Sequence, residues 1–561
     1  NHRGKTVTTD ELAYLTVTEL ASRIRKGELS PVEITEACLS RIEAHDDKLN
    51  AFITVTANEA REAAKRAEKE IRGGRDRGTF HGIPIALKDL IEVEGVRMTA
   101  GSKILESHVA PRTATVARRL EEAGAVLLGK TNLQEFARGP TGVDSHFGAS
   151  SNPWDVTRIT GGSSSGSGGA VAGGLAPAAL GSDTGGSVRI PAALCGIVGI
   201  RPTYGRVSRW GAVPLGTTYD TIGPMTRSVE DAARMLSVIA GRDPLDPSTE
   251  NEPVSDYAES AEAGRNRDLK GLRLGVPVNY FFPGFDVELE GLVREAIRVL
   301  EGLGAEVREV EIPFAEYSAS TYLGVNGPDA GLYHLPTLKS RKKDYMRLTA
   351  EFFELGLFVP GWRHLQGQKA RTLFMRQTAE LFRGVDAVVT PAVPVPAPPI
   401  EDSDDWRAVI HCTLPHGGVG IPALSTPCGF TRAGLPAGLQ IAGRWWEEEI
   451  LFRIAAAYEA ATDWRARRPG FENSPKPNHV VNPKAPQAAK PTGPADAAMG
   501  RESVREWAES MGLSAPEDEL DALTVRVGRM FRSLGRLDEL PLDDVEPGVI
   551  FRAPARGEDP V

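Results

Sequence analysis

Apolar and polar residues follow two rhythms along the chain, a helical period and short continuous apolar runs. Residues 31–45, PVEITEACLSRIEAH, have helical spacing, and Ser30 with Glu33 forms a capping box at their start. Residues 81–89, HGIPIALKD, form a short apolar run of the kind found in buried strands, and this run ends at Lys88. The N-terminal part therefore predicts a long helix followed by a buried strand.

The same helix-then-strand order recurs further along the chain. It is seen in residues 113–131 (TATVARRLEEAGAVLLGKT), in 287–312 and in the apolar runs 385–398 and 420–430. Such alternation is typical of βαβ units around a mixed or parallel sheet. We therefore predict an α/β fold, with a central mixed or parallel twisted sheet covered on both faces by helices and a small helical C-terminal appendage.

Composition changes divide the chain into three parts. The helix and strand rhythm continues to about residue 468, which predicts one large catalytic domain over residues 1–468. Residues 469–497 are rich in Pro, Asn and Lys and poor in large apolar residues, so a Pro-rich linker is expected there. Residues 498–561 contain two helical patterns that are too short for an independent core, so we expect this segment to pack on the catalytic domain.

Charge and cysteine content limit the class of function. The 561 residues carry a net charge of −10 with acidic and basic residues interspersed, so a direct nucleic-acid partner is not expected. Apolar stretches are interrupted before they reach membrane-spanning length, so no membrane partner is expected. Metal and cofactor motifs are not recognised, and a reducing cytoplasm is the expected location, because no disulfide or zinc spacing joins the four cysteines Cys38, Cys195, Cys412 and Cys428.

The stretch from residue 158 to residue 201 is rich in Gly, Ser and Ala and contains two serine motifs, GGSSSGSGG and DTGGSVR. Gly185 and Gly186 directly precede Ser187 in the second motif. Glycines at these positions allow backbone N–H groups to converge on an oxyanion beside a nucleophilic hydroxyl. Ser187 is therefore the candidate nucleophile.

A serine nucleophile needs a base, and the ten histidines lack an accompanying acid motif. Lys88 is the alternative, provided that burial at the end of its strand lowers its pKa by roughly three units. The competing interpretation is that Lys88 and Asp89 form an exposed charged pair at a strand end.

HGIPIALKDL, TGGSSSGSGGAVA and ALGSDTGGSVRIPAALCGIVGIRPTYGRVSRWG, in this order and spacing, resemble the amidase signature family, and the similarity extends from about residue 10 to residue 468. The resemblance implies the amidase signature fold and a Ser-cisSer-Lys triad of Ser187, Ser163 and Lys88. It further implies an acyl-enzyme mechanism and an oxyanion hole made by the backbone N–H groups of Thr184, Gly185, Gly186 and Ser187.

The resemblance also implies a substrate cleft near Arg138 and Gly139 and hydrolysis of amide-type C–N bonds without a cofactor. A small-molecule amide, anilide or carbamate, as for a urethanase, or an ester is the expected substrate. The C-terminal segment, with LPLDDVEPGVIFRAP, resembles the small C-type subunit of tRNA-dependent amidotransferases. A dimerisation tail is the alternative for this segment, so a homodimer is possible.

Three alternative functions stay open at this point, and the third is a binding protein without enzymatic activity, in which a fluorophosphonate probe would not label Ser187. The A subunit of a tRNA-dependent amidotransferase uses the same triad as a glutaminase, but the acidic residue that those subunits carry for the glutamine amino group is replaced here, around Ile410. That difference favours an enzyme that works alone. An α/β-hydrolase esterase is the second alternative, because GSSSG formally matches G-x-S-x-G with Ser164 as the nucleophile. Ser164, Ser165 and Ser167 are otherwise interpreted as loop hydrogen-bonding residues.

Overall fold

An eleven-stranded mixed sheet is the main sheet of this computed structural model, which describes residues 9–403, 409–479, 499–548 and 551–558. Its strand order is β1-β3-β2-β6-β8-β7-β12-β13-β11-β9-β10, and β4 and β5 form a separate hairpin. The strands are β1 Phe52–Val55, β2 Pro84–Lys88, β3 Val126–Thr131, β4 Ser151–Asn152, β5 Asp155–Ile159, β6 Ala178–Asp183, β7 Val198–Arg201, β8 Thr221–Thr226, β9 Arg273–Pro277, β10 Glu306–Val310, β11 Ala387–Pro391, β12 Ala423–Phe430 and β13 Pro436–Gly443.

Helices connect these strands and pack on the sheet. Among the described residues they are α1 Thr9–Ala13, α2 Val17–Arg25, α3 Pro31–Leu49, α4 Ala57–Arg72, α5 Thr115–Glu122, α6 Ser165–Ala172, α7 Arg189–Cys195, α8 Val229–Ile239, α9 Tyr257–Gly264, α10 Val287–Gly302, α11 Ser318–Arg341, α12 Arg347–Leu357, α13 Gly361–Gly384, α14 Leu414–Val419, α15 Glu448–Ala461, α16 Arg501–Ser510 and α17 Glu517–Gly535.

The sheet combines parallel and antiparallel pairs, so of the two expected forms, mixed or parallel, it is the mixed one. β2 pairs in parallel with β3 and β6, and β9 pairs in parallel with β10 and β11. The pairs from β6 through β8, β7 and β12 to β13 are antiparallel. Every residue of β2, β6, β7, β8, β11 and β13 is buried, so helices and loops cover both faces of the central sheet. The predicted α/β class is confirmed.

Local sequence signals produced the first elements as expected. The Ser30 hydroxyl accepts a hydrogen bond from the Glu33 N–H, the Glu33 carboxylate accepts one from the Ser30 N–H, and α3 starts at Pro31. β2 ends at Lys88, where the apolar run of the sequence ends.

Residues 318–341 form a long helix that the sequence pattern did not predict. α11 continues through Pro328 and Pro336, two residues that normally break a helix. α11 packs against α12 and α13, and this tertiary contact outweighs the local propensity.

The C-terminal segment packs on the larger part of the chain. α17 lies against α11 and α12, and Arg363 binds both carboxylate oxygens of Asp538 at 2.6 and 2.9 Å. The Phe551 ring lies under the Arg371 guanidinium, 3.2 Å from its carbon to the ring centre. The division at residues 468 and 498 stays a prediction, and residues 480–498 of the proposed linker lie outside the described residues. Within the described ranges, no helix has both the length and the apolar character needed to cross a membrane.

Candidate active site

Lys88 lies at the end of β2 with its side chain fully buried. Its Nζ is 2.7 Å from Oγ of Ser163 and 2.9 Å from Oγ of Ser182. Successive residues of a strand point to opposite faces, and Asp89 accordingly turns away, toward Thr99. The interpretation of Lys88 and Asp89 as an exposed pair is therefore wrong, since both side chains are inaccessible to solvent.

Burial determines the charge state of Lys88. Loss of hydration lowers the pKa of its amine to about 7, while the carboxylates of Asp220 and Asp183, which do not contact it, oppose this shift. Lys130 on the neighbouring β3 is equally buried, and its Nζ lies 3.2 Å from the Asp89 carboxylate. Burial lowers the pKa of Lys130 as well, but Asp89 opposes it directly. Among the described residues, the hydrogen-bond partners of the Lys88 amine are the hydroxyl groups of Ser163 and Ser182, so this amine can be neutral near pH 7 and can accept a proton.

Ser163 belongs to the glycine-rich loop that precedes α6. The peptide bond between Gly162 and Ser163 is cis. The Ser164 N–H donates a hydrogen bond to the Ser187 carbonyl at 3.2 Å, which joins this loop to the segment after β6. The structure thus brings the three residues of the expected triad into one region, although their catalytic roles remain a prediction.

Residues Thr184 to Ser187, called here the oxyanion segment after the prediction for them, form bends and a turn directly after β6. Within the described part of the chain, none of these four N–H groups donates a hydrogen bond to another protein group. Gly186 has φ of 141°, and a Cβ at this position would lie 2.1 Å from Oγ1 of Thr413. The Thr413 hydroxyl in turn donates to the Gly185 carbonyl at 2.6 Å. These N–H groups and the support from Thr413 agree with the expected oxyanion hole, which stays a prediction.

A buried ion cluster fixes the end of β6. Asp183 accepts hydrogen bonds from Arg189 at 2.9 and 3.0 Å and from Arg201 at 3.1 Å, and all three side chains are fully buried. Burial alone would raise the pKa of Asp183, but the two guanidinium groups outweigh it and hold this pKa well below its usual range. Asp183 thus remains ionised and keeps the chain fixed just before Thr184.

The positions expected to line the substrate cleft lie beside the serine loop. Arg138 is 3.9 Å above the Phe352 ring, and burial lowers its pKa. Gly139 approaches the loop through its carbonyl, since a Cβ on Gly162 would lie 3.2 Å from that oxygen. The contact of Arg138 and Gly139 with substrate stays a prediction.

Ser164 occupies a structural position. Its hydroxyl donates to the Ser182 carbonyl and accepts from the Ser182 N–H, both at 3.2 Å, and the side chain is fully buried. These bonds connect the serine loop to β6, so the interpretation of Ser164 as a loop hydrogen-bonding residue agrees with its contacts.

Several residues of the site were not found from the sequence. Ser182 contacts the Lys88 amine, and Thr413 supports the oxyanion segment from a position more than 200 residues away in the chain. The Asp220 carboxylate accepts a 2.6 Å hydrogen bond from the Thr184 hydroxyl. None of these residues has a local sequence signal, because each reaches the site only through long-range folding.

Comparison with known proteins identifies what this chain resembles. The family model "Amidase" matches residues 33–452. A relative from Geobacter metallireducens, the A subunit of glutamyl-tRNA(Gln) amidotransferase, is 42% identical over 489 residues, which cover 82% of this chain and all of the relative.

Solved structures give the same picture. The structure described as revealing the origins of an s-triazine catabolic enzyme is 33% identical, covers 79% of this chain and 98% of its own, and has a TM-score of 0.75. The native peptide amidase from Stenotrophomonas maltophilia is also 33% identical, covers 81% and 98% of the two chains, and has a TM-score of 0.71.

These relatives correct the expected partners. The prediction of a small-molecule substrate alone, without nucleic acid, is wrong, because the curated relatives are subunits of an enzyme named for glutamyl-tRNA. An acidic net charge argues only against long-range attraction of phosphates. It does not test whether one component works beside others on a tRNA-linked substrate.

The pKa of Lys88 predicts the pH dependence of hydrolysis. With a pKa of about 7, the neutral amine is lost below this pH, so kcat/KM should fall roughly tenfold per pH unit on the acid side and level off above it. Hydrolysis of a chromogenic anilide from pH 5.5 to 9 measures this profile. A profile that stays flat from pH 6 to 9 would contradict a lysine base.

The same pKa predicts how stability depends on pH. An unfolded lysine has a pKa near 10.5, so between about pH 7 and 10.5 the unfolded chain carries a proton on residue 88 that the folded chain lacks. The free energy of unfolding of the wild type therefore contains a term that rises with pH in this range. Lys88→Met lacks this term, so its free energy of unfolding relative to wild type should decrease from pH 7.5 to 10 by up to about 3 kcal/mol.

Urea denaturation at several pH values measures this difference. Lys65→Met, at an exposed position on α4, is the matched control and should show no such trend. An equal pH trend for both variants would refute a neutral, buried Lys88.

Proposed function

We propose, from the premise that this chain belongs to the amidase family, that it hydrolyses a carboxamide as the A-type component of a tRNA-dependent amidotransferase. The observation that carries this proposal is the 2.7 Å contact between the buried Lys88 amine and the Ser163 hydroxyl, next to the segment that contains Ser187. Curated relatives matched along essentially their full length support the amidotransferase role over that of an enzyme working alone.

The first half of the reaction acylates Ser187. Its Oγ attacks the carbonyl carbon of the carboxamide, and its proton passes to Ser163, whose own proton passes to the neutral Lys88 amine. The N–H groups from Thr184 to Ser187 bind the oxygen as it becomes negative. The C–N bond then breaks, and the proton returns from Lys88 through Ser163 to the nitrogen, which leaves as ammonia.

The second half releases the acid. Water gives a proton along the same route to Lys88 and attacks the acyl carbon, and the Ser187 oxygen leaves and takes that proton back. The products are ammonia and a carboxylic acid, and both serines and the lysine regain their initial protonation states. The same steps would serve an anilide, carbamate or ester carbonyl, with a different leaving group.

Ile410 supports a second candidate function, that of an amidase working without a partner. A Cβ built on Gly185 would lie 3.0 Å from Cδ1 of Ile410, so this hydrocarbon side chain adjoins the oxyanion segment. It occupies the position where the resemblance led us to expect an acid for the glutamine amino group. An ammonium group placed against the Ile410 side chain would lose hydration, and this hydrocarbon side chain offers it no opposite charge. An amide lacking an α-amino group is the substrate that this wall favours.

Ammonia release tests the first candidate. Wild-type protein with glutamyl-tRNA and a B-type partner protein should release ammonia from glutamine, and Ser187→Ala should lower kcat by at least about 1,000-fold, because the acyl bond cannot form. Ser237→Ala on α8 is the control and should keep full activity, because among the described residues the Ser237 hydroxyl donates to the Ala233 carbonyl of its own helix. Equal activity of Ser187→Ala and wild type would exclude Ser187 as the nucleophile.

Substitution of Ile410 tests the second candidate. Ile410→Asp should raise kcat/KM for glutamine about tenfold, because a carboxylate–ammonium contact contributes on the order of 1.4 kcal/mol. The asparagine in Ile410→Asn has nearly the shape of aspartate but no charge, so kcat/KM for glutamine should rise little in this variant. Equal glutamine turnover by wild type and Ile410→Asp would show that the acid is dispensable. That result would remove the support for an amidase that works without a partner.

A further inference from the structure

One face of α11 lies against the turn formed by residues 215–220. Tyr322, Asn326 and Asp329 are spaced by four and three residues and share this face. Asp329 accepts hydrogen bonds from the N–H and the hydroxyl of Thr217, at 2.6 and 2.7 Å. These bonds hold the helix on the turn, about one helical turn from Asn326.

Asn326 makes no comparable contacts. Its side chain is fully buried, and neither Nδ2 nor Oδ1 has a hydrogen-bond partner among the described residues. A buried amide that loses its hydrating water without a replacement partner is destabilising, because neither its donor nor its acceptor regains a hydrogen bond. Such groups are rare in folded proteins and need a specific reason.

The position of this amide supplies the reason. A Cβ added to Gly216 would lie 1.6 Å from the Asn326 Oδ1 and 3.5 Å from Cγ2 of Thr184. Gly216 is thus needed for the close approach of Asn326, and Thr184 begins the oxyanion segment. The unsatisfied amide therefore lies close to the residue with which the oxyanion segment begins.

A second unsatisfied group belongs to the same turn. The Tyr219 hydroxyl is buried without a hydrogen-bond partner in the described chain, and its ring meets that of Tyr322 edge to face, with centres 5.4 Å apart. Tyr322 is one helical turn before Asn326. The turn and the helix face together present an amide donor, an amide acceptor and a hydroxyl that protein groups leave unused.

We propose that Asn326 recognises the distal end of the acyl group, and that this end carries a hydrogen-bond donor beside an acceptor. The substrate end would donate to Oδ1 and accept from Nδ2, which satisfies both atoms. A second carboxamide fulfils this requirement, and so does the amino acid end of glutamine. A hydrocarbon end leaves both atoms of Asn326 unsatisfied. The contact depends on the proposed function, since only an acyl group bound at Ser187 would place its distal end here.

Three primary amides of nearly equal shape test this contact. Glutamine, succinamide and 4-methylpentanamide share the reacting carboxamide and two methylene groups, and they end in an amino acid group, a carboxamide and an isopropyl group. Wild type should hydrolyse at least one polar amide with kcat/KM at least tenfold above that of 4-methylpentanamide. The ratio between glutamine and succinamide identifies which polar end is bound.

Asn326→Leu and Asn326→Ala should remove this preference. We expect kcat/KM for the preferred polar amide to fall at least tenfold, while that for 4-methylpentanamide stays the same or rises. A merely structural role would lower all three rates by the same factor, and that result would overturn the inference. Retention of the wild-type preference in both variants would overturn it too. Two results with the wild type would also overturn it. These are a preference for the hydrocarbon amide, and hydrolysis of none of the three amides although Ser187 is reactive.

Labelling of Ser187 by a small fluorophosphonate separates this inference from the proposed function. The probe needs the nucleophile and its base but no distal group, so wild type and both Asn326 variants should be labelled at similar rates. Absence of labelling in folded wild type would refute the proposed function itself. Normal labelling with unchanged substrate preference would refute only the role of Asn326.

Discussion

The removal of water from one amine is the constraint on which the rest of the site depends. Lys88 is placed by a strand whose every residue is buried, and its Nζ meets two hydroxyl groups instead of a carboxylate. Hydroxyl groups satisfy the hydrogen-bonding capacity of the amine without stabilising its positive charge to the extent that an anion would. Lys130, one strand away, shows the other arrangement, in which a carboxylate is in contact. The two lysines are equally buried and differ in whether a carboxylate contacts the amine, which is why Lys88 and not Lys130 is the proposed base.

Charged groups are nevertheless plentiful near Ser187, the proposed nucleophile, and their placement keeps them out of contact with the Lys88 amine. Asp183 forms salt bridges with Arg189 and Arg201, so the two guanidinium groups balance its negative charge locally. Asp220 accepts from the Thr184 hydroxyl and from backbone N–H groups of Leu215 and Gly216. Both carboxylates thus act on backbone geometry, one before the oxyanion segment and one beside it. This arrangement agrees with a lowered pKa for Lys88 in a region that contains several buried ionisable groups.

The sequence predicted the parts of the site that local chemistry defines. The apolar run before Lys88, the capping box of α3 and the glycine-rich serine motifs each depend on residues close together in the chain. Ser182, Thr413 and Asn326 were missed, because their importance arises only from strand and helix placement over long separations. Two prolines inside α11 also prevented the prediction of this helix, which contains Asn326. The α/β class was predictable from the alternation of elements, whereas the order of eleven strands was not, since non-local pairing leaves no periodic signal.

The docking of the C-terminal segment has a consequence for how the protein responds to dilution. α17 and Phe551 contact α11 and Arg371 within a single polypeptide, so their association is unimolecular and independent of protein concentration. Covalent connection gives effective local concentrations on the order of millimolar, which lets contacts of modest affinity remain formed. A separate chain would have to match the copy number of its partner and bind it tightly. Covalent continuity removes both requirements and fixes the stoichiometry at one to one.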